Sequence, residues 1–217
     1  MLQRIFRLPC YFGFVILLLT FSLLFNCCFS KADGFLMLNS YHPLWLDQFF
    51  LMVTNLGDGL FTLMIIVILI FLKKRKKATI LLMAFLSSGL MVQMMKRVFN
   101  MPRPGLYFEQ IGFNYPHFVN GLNLHSSNSF PSGHTASAFA LATVMVLVFK
   151  KKRISLYCLS FAVLCGYSRI YLAQHFLQDV VIGALVGICC ALLSYQWMYK
   201  SRIFKENRLL AHRYRAA

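Results

Sequence analysis

Apolar residues along this chain fall into long runs separated by short polar segments. A run of about 20 apolar residues crosses a bilayer as a helix. The runs predict six transmembrane helices near 9–29, 50–72, 78–95, 134–149, 154–172 and 177–199. The fourth is short unless its first turn begins in the preceding loop. Residues 39–49, Asn-Ser-Tyr-His-Pro-Leu-Trp-Leu-Asp-Gln-Phe, mix aromatic and polar groups and predict an interfacial helix in the first outer loop. The predicted fold class is all-α: a polytopic membrane protein, one domain over 1–217, with a basic cytoplasmic tail over 200–217. The apolar run after Arg4 and Arg7 has the look of a signal peptide. Leu24-Phe25-Asn26 is too bulky for a cleavage site, so an uncleaved first span is expected.

Composition agrees with this reading. A chain of 217 residues that is 59% hydrophobic and 13% charged carries more apolar surface than a soluble domain of that size can hide. The net charge of +16 matters through where it falls. Seventeen of the 22 Lys and Arg lie in four blocks: Arg4 and Arg7, Lys73–Lys77, Lys150–Arg153, and the tail from Lys200 to Arg215. These blocks occupy every second position between spans, as the positive-inside rule requires. Both termini are then cytoplasmic, and segments 30–49, 96–133 and 173–176 face outward. That distribution argues for the bilayer, and against nucleic acid, as partner. The seven cysteines lie in or beside apolar runs and read as small buried hydrophobes; neither a disulfide framework nor a metal cluster is indicated.

Five basic residues break the topological rule: Lys31, Lys96, Arg97, Arg103 and Arg169 fall on the outer side. His134, His175 and Asp179 stand beside them. Cations where insertion disfavours them, next to histidines, point to an anion site. Spacing strengthens the case. His134 and Ser168 are 33 intervening residues apart, with Lys150–Arg153 midway. Two antiparallel helices of about 16 residues, each about 24 Å long, return Ser168-Arg169 to the level of His134. Lys96 ends the third span on the same face, and His175 and Asp179 share one helix face at i, i+4. Pro131-Ser132-Gly133-His134 opens the fourth span, with Ser132 as N-cap and Gly133 allowing an anion close to the backbone. Taken alone, those four residues also make an ordinary capped helix start. Arg97 reads as an interfacial anchor.

With these residues assembled, the chain resembles the type 2 phosphatidic acid phosphatase (PAP2) family, which shares its site architecture with vanadium haloperoxidases. Three blocks within 96–179 carry the resemblance. They are Lys96 through Arg103-Pro104, Pro131 to His134, and Ser168-Arg169 through His175 to Asp179. The resemblance implies a lipid phosphatase that uses no metal or other cofactor. It implies that His175 attacks phosphorus to form a phosphohistidine and that Asp179 holds its imidazole in the attacking tautomer. His134 would protonate the leaving oxygen and then activate water. Lys96, Arg103 and Arg169, with Ser132 and the Gly133 amide, would bind the phosphoryl oxygens.

The lipid phosphates expected as substrates are, in order, undecaprenyl pyrophosphate, lipid A, and phosphatidic acid or phosphatidylglycerol phosphate. The setting expected is the outer face of a bacterial cytoplasmic membrane. Tyr107, Phe108, Phe113, Tyr115, Phe118 and Phe130 either line a lipid entrance or form an interfacial belt. A lipid transporter or flippase is the non-enzymatic alternative. It would need ionisable groups or broken helices near the bilayer midplane, and the charged groups here sit at the edge.

Overall fold

The computed structural model describes residues 9–119 and 126–200, and every regular element among them is a helix. Arg4, Arg7 and the basic tail beyond Lys200 lie outside the described residues. In chain order the helices are α1 (Pro9–Cys28), α2 (Lys31–Leu38), α3 (Leu44–Leu56) and α4 (Gly59–Phe71). They continue with α5 (Arg75–Phe99), α6 (Pro104–Gln110), α7 (Gly133–Phe149), α8 (Lys152–Tyr171) and α9 (Leu177–Lys200).

Four of the helices, α1, α5, α8 and α9, are long and apolar enough to cross a membrane, and α3 with α4 makes a fifth if that bent pair is one span. The chain is a multi-pass membrane protein. Helix α7 is apolar but has only 17 residues, about 26 Å of rise against a hydrocarbon core of about 30 Å. Side chains such as Ile16, Leu17 and Phe21 on α1 are exposed, as expected of a surface that meets lipid.

Two expectations change. The first outer segment holds no continuous helix over 39–49. Residues 39–43 are non-helical, and α3 starts at Leu44 and runs to Leu56. Pro43 explains the start, since a proline keeps the preceding residue out of the helical region. The apolar run 50–72 is also broken: α3 and α4 meet at 51°. Gly57 and Asp58 have low helix propensity, and Asp58 adopts an extended N-cap conformation that starts α4 afresh.

Helix α7 is the centre of the bundle, with Ala136, Ala140, Ala142, Val144 and Val146 nearly inaccessible. Small residues let α9 press against it. A Cβ on Gly183 would stand 2.5 Å from the Ser132 carbonyl oxygen, and one on Gly187 would overlap the Ala136 carbonyl oxygen. Glycines four apart on one face allow such backbone approach between membrane helices. Helices α7 and α8 form the expected hairpin, turning at Lys150-Lys151 with Lys150 left-handed at φ 53°. The return is level: a Cβ on Gly166 would touch Thr135 Cγ2 at 3.4 Å.

Candidate active site

The C-terminal ends of α5 and α8 and the N-terminal ends of α7 and α9 meet at one end of the bundle, opposite the Lys73–Lys77 and Lys150–Arg153 turns. The backbone ties them together. Ser132 N–H donates to the Asp179 carbonyl at 2.9 Å, and Ser129 N–H donates to the Met101 carbonyl at 2.9 Å. All three blocks singled out in the sequence therefore arrive at one place.

His175 and Asp179 form the buried heart of the site, at 2% and 1% exposure. The α8–α9 connection sets His175 in place, its N–H donating to the Arg169 carbonyl at 3.0 Å. His175 Nδ1 lies 3.4 Å from Asp179 Oδ2. The same oxygen accepts from Ser129 Oγ at 2.5 Å and from Phe176 N–H at 3.0 Å. Three donors thus converge on one carboxylate oxygen, and Nδ1 is turned toward it, leaving Nε2 as the imidazole's other nitrogen. Burial holds the His175 imidazole well below its ordinary pKa; Asp179 pulls it upward, while the Arg169 and Arg103 charges push it down. The ring is neutral at physiological pH, with a lone pair available.

Three cations surround this pair. Lys96 Nζ donates to the Asn128 carbonyl at 2.6 Å. Arg103 donates through Nε to the Ser127 carbonyl at 3.1 Å and through Nη1 to Gln174 Oε1 at 2.6 Å. Arg169, 6% exposed, donates through Nη1 to the Thr54 hydroxyl oxygen, and among the described residues its Nε has no partner. Among the described residues none of the three pairs with a carboxylate; the ion pairs there are His42–Asp47 and His175–Asp179. The Asp179 and Asp58 charges act on these cations without a direct ion pair, so three positive charges meet with no carboxylate bound to them, an arrangement that can hold an anion.

His134 lies half-buried in the first turn of α7, with the charges of Arg169, Arg103 and Lys96 acting on it. Ser132 caps this helix as expected: its Oγ accepts from Thr135 N–H at 3.4 Å and from Thr135 Oγ1 at 2.9 Å. The Ser132 hydroxyl keeps its own proton to donate. Among the described residues the Gly133 N–H makes no hydrogen bond, so it remains free at the helix N-terminus. Arg97 is exposed. Among the described residues no three His, Cys, Asp or Glu side chains gather as a metal ion would require.

Several contributors were not read from the sequence. Ser129 and Gln174 sit two residues before Pro131 and one before His175, so adjacency to the blocks was the available signal. Thr54 and Asp58 lie at the α3–α4 break with no such signal, yet the charge of Asp58 reaches both His134 and Arg169. The outer-loop aromatics are also sorted. Phe108 and Tyr115 pack with Phe35 and Phe176 in a buried cluster beneath the loop, with the Phe108 and Tyr115 rings stacked at 5.6 Å. They anchor the segment after His175, and with Phe113 and Phe118 they line an open cavity of about 510 Å³ in the outer loop. Phe113 and Phe118 remain exposed, at 42% and 36%.

Fold and site together define a multi-pass helical membrane protein with a cationic, two-histidine pocket at one end of its helices. Residues 77–203 match the PAP2 superfamily, and the chain belongs to it. Among solved structures it is similar to Aquifex aeolicus LpxE, with a TM-score of 0.67 and 33% identity over 76% of this chain and 94% of that one. It is also similar to a lipid A 4'-phosphatase of Bacteroides thetaiotaomicron, 38% identical over 27% of this chain and 26% of the relative. An undecaprenyl-diphosphatase of Bacillus subtilis, BcrC, is 32% identical over 46% of this chain and 51% of the relative. The chain thus spans about a quarter to a half of the length of these two curated relatives.

Proposed function

We propose that this protein is a membrane lipid phosphatase that transfers a phosphoryl group to His175 and then to water. The observation that carries this reading is the trio of cations, Arg103 and Arg169 buried and Lys96 half-buried, none in an ion pair with a carboxylate, gathered around a neutral histidine whose Nδ1 faces a carboxylate. His175 Nε2 attacks phosphorus, and the bond to the lipid oxygen breaks as His134 gives that oxygen its proton. Asp179 holds the ring and stabilises the positive charge it gains, with Ser129 and the Phe176 amide fixing the carboxylate. In the second half His134 takes a proton from water, the water oxygen bonds to phosphorus, and the P–N bond breaks to release inorganic phosphate. Lys96, Arg103, Arg169, the Ser132 hydroxyl and the Gly133 amide hold the non-bridging oxygens throughout.

Two substrate classes are supported by the relatives' names: undecaprenyl pyrophosphate and the phosphates of lipid A. Both present a phosphate at headgroup level, where a pocket at the helix ends can meet it. Purified protein in detergent is expected to release phosphate from at least one of undecaprenyl pyrophosphate, lipid A, phosphatidic acid and phosphatidylglycerol phosphate. The activity is expected to survive EDTA and to be blocked by vanadate, which mimics five-coordinate phosphorus. If no lipid yields phosphate above a His175→Ala control, the enzymatic reading is wrong. If EDTA stops turnover and Mg²⁺ restores it, the fixed cations are not sufficient.

The same reading sets the topology: six spans, with α3–α4 and α7 each crossing once, both termini cytoplasmic and the pocket outward. Moving Lys73–Lys77 and Lys150–Arg153 across a bilayer is disfavoured during insertion. In a cysteine-free background, a cysteine at the exposed Asn114 is expected to react with an impermeant thiol reagent added from outside. One at the exposed Lys151 is expected to react only after permeabilisation. The reverse pattern would put the pocket in the cytoplasm.

A further inference from the structure

We propose that Thr54, on α3 and outside the three blocks, is a positioning residue for Arg169 and so belongs to the oxyanion site. This inference rests on the reading of the pocket as a phosphate site. Arg169 leaves the last turn of α8 and is buried, yet among the described residues its side chain has one partner, the Thr54 hydroxyl. Thr54 is itself 6% exposed. A guanidinium has five N–H donors and needs an acceptor to fix the plane of its fork. A carboxylate in that position would also cancel its charge. A neutral hydroxyl fixes the plane and leaves the charge and the remaining donors for an incoming oxyanion.

The α3–α4 bend explains how a helix without a signature residue reaches the site. The last turn of α3 stays against α8: Cys165 Sγ lies 3.8 Å from the Val53 carbonyl. A Cβ on Gly57 would meet Cys165 Cβ at 3.4 Å and His134 Cβ at 3.5 Å. Beyond the break α4 turns toward α5, where a Cβ on Gly59 would meet Phe85 Cζ at 3.0 Å. The break therefore serves two neighbours, with its first arm committed to Arg169 and His134.

The test measures orthovanadate affinity of purified protein by calorimetry, alongside kcat and KM for the best lipid substrate. Thr54→Val keeps the side-chain shape and removes the acceptor. It is expected to weaken vanadate binding roughly 10-fold or more, the scale of a hydrogen bond to a charged group. Thr54→Ser should restore binding to within about twofold. In an Arg169→Lys background, which retains charge but lacks the fork, Thr54→Val should change binding by less than about twofold, because the two residues act as one unit. A Thr54 that only packs helices would show the same loss in both backgrounds. That result, or wild-type affinity in Thr54→Val, overturns the proposal. Wild-type protein that binds vanadate but cleaves no lipid phosphate sinks the enzymatic reading alone, and wild-type protein that binds no vanadate overturns both.

Discussion

Replacing His175 by alanine is expected to lower turnover by on the order of 10⁴-fold or more, the scale seen when a nucleophile is lost and binding alone remains. The protein should still insert and fold. Asp179 loses one of its three donors but keeps Ser129 Oγ at 2.5 Å and the Phe176 amide at 3.0 Å. The carboxylate is therefore not left buried and unpaired, the condition that makes truncation of an ion pair most damaging. His175→Asn, which retains a donor toward Asp179, gives a second variant with less perturbation of the fold and the same loss of nucleophile. Rapid alkaline quench of the wild type on ³²P-labelled substrate should trap a phosphoenzyme that is stable in alkali and lost on acidification, absent from both variants. In His134→Ala the phosphoenzyme should form only from substrates whose leaving group departs without a proton. A His175→Ala protein that keeps more than a few per cent of activity would move the nucleophile elsewhere.

The second large effect lies outside the chemistry. Gly183→Leu is expected to destabilise the protein by about 1–3 kcal/mol or more, as overpacking of a tight contact does. It should also cut turnover by roughly 100-fold, the cost of misplacing reacting groups by about 1 Å. The reason is local. A Cβ there meets the Ser132 carbonyl oxygen at 2.5 Å. Ser132 N–H is in turn bound to the Asp179 carbonyl at 2.9 Å. Backbone atoms cannot swing aside as a side chain can, so α9 must move away from α7, carrying Asp179 away from the His134 end of the site. Gly89→Leu on α5 is the matched control, since a Cβ there meets nothing within 4 Å. Thermal unfolding in detergent and turnover should both separate the two variants. Equal behaviour would mean that the α7–α9 contact does not set the geometry of the pocket.

These two glycines show where reading along the chain stops. Gly89 and Gly183 are alike as letters, each within an apolar helix, and only the packing says which one touches a neighbouring backbone. The positions of α1, α5, α7, α8 and α9 were legible because a bilayer-crossing helix must satisfy its own backbone and present apolar side chains, constraints written into consecutive residues. The hairpin returning Arg169 to the level of His134 was legible for a similar reason, since helix rise converts residue count into distance. So were the three blocks, whose residue types and spacing carry the resemblance on their own.

The bend at Gly57–Asp58 was not legible as a bend. A hydropathy run continues smoothly across two weak helix formers, and whether they break the helix depends on what the two arms pack against. The first outer segment was misread for a related reason: Pro43 starts α3 at Leu44, and the aromatic and polar residues around it are held by tertiary partners. Tyr171, for example, donates to Asp47 at 2.6 Å across more than a hundred residues of chain. Sequence by itself determined which histidines and cations gather at one end of the bundle, because helix rise, periodicity and the placement of basic blocks are written into consecutive residues. Tertiary structure alone decided what orients them: Thr54 on Arg169, Ser129 on Asp179, Gln174 on Arg103. Those are pairings between side chains remote in sequence, or in different turns of the chain, and no spacing rule links their positions before the helices have packed.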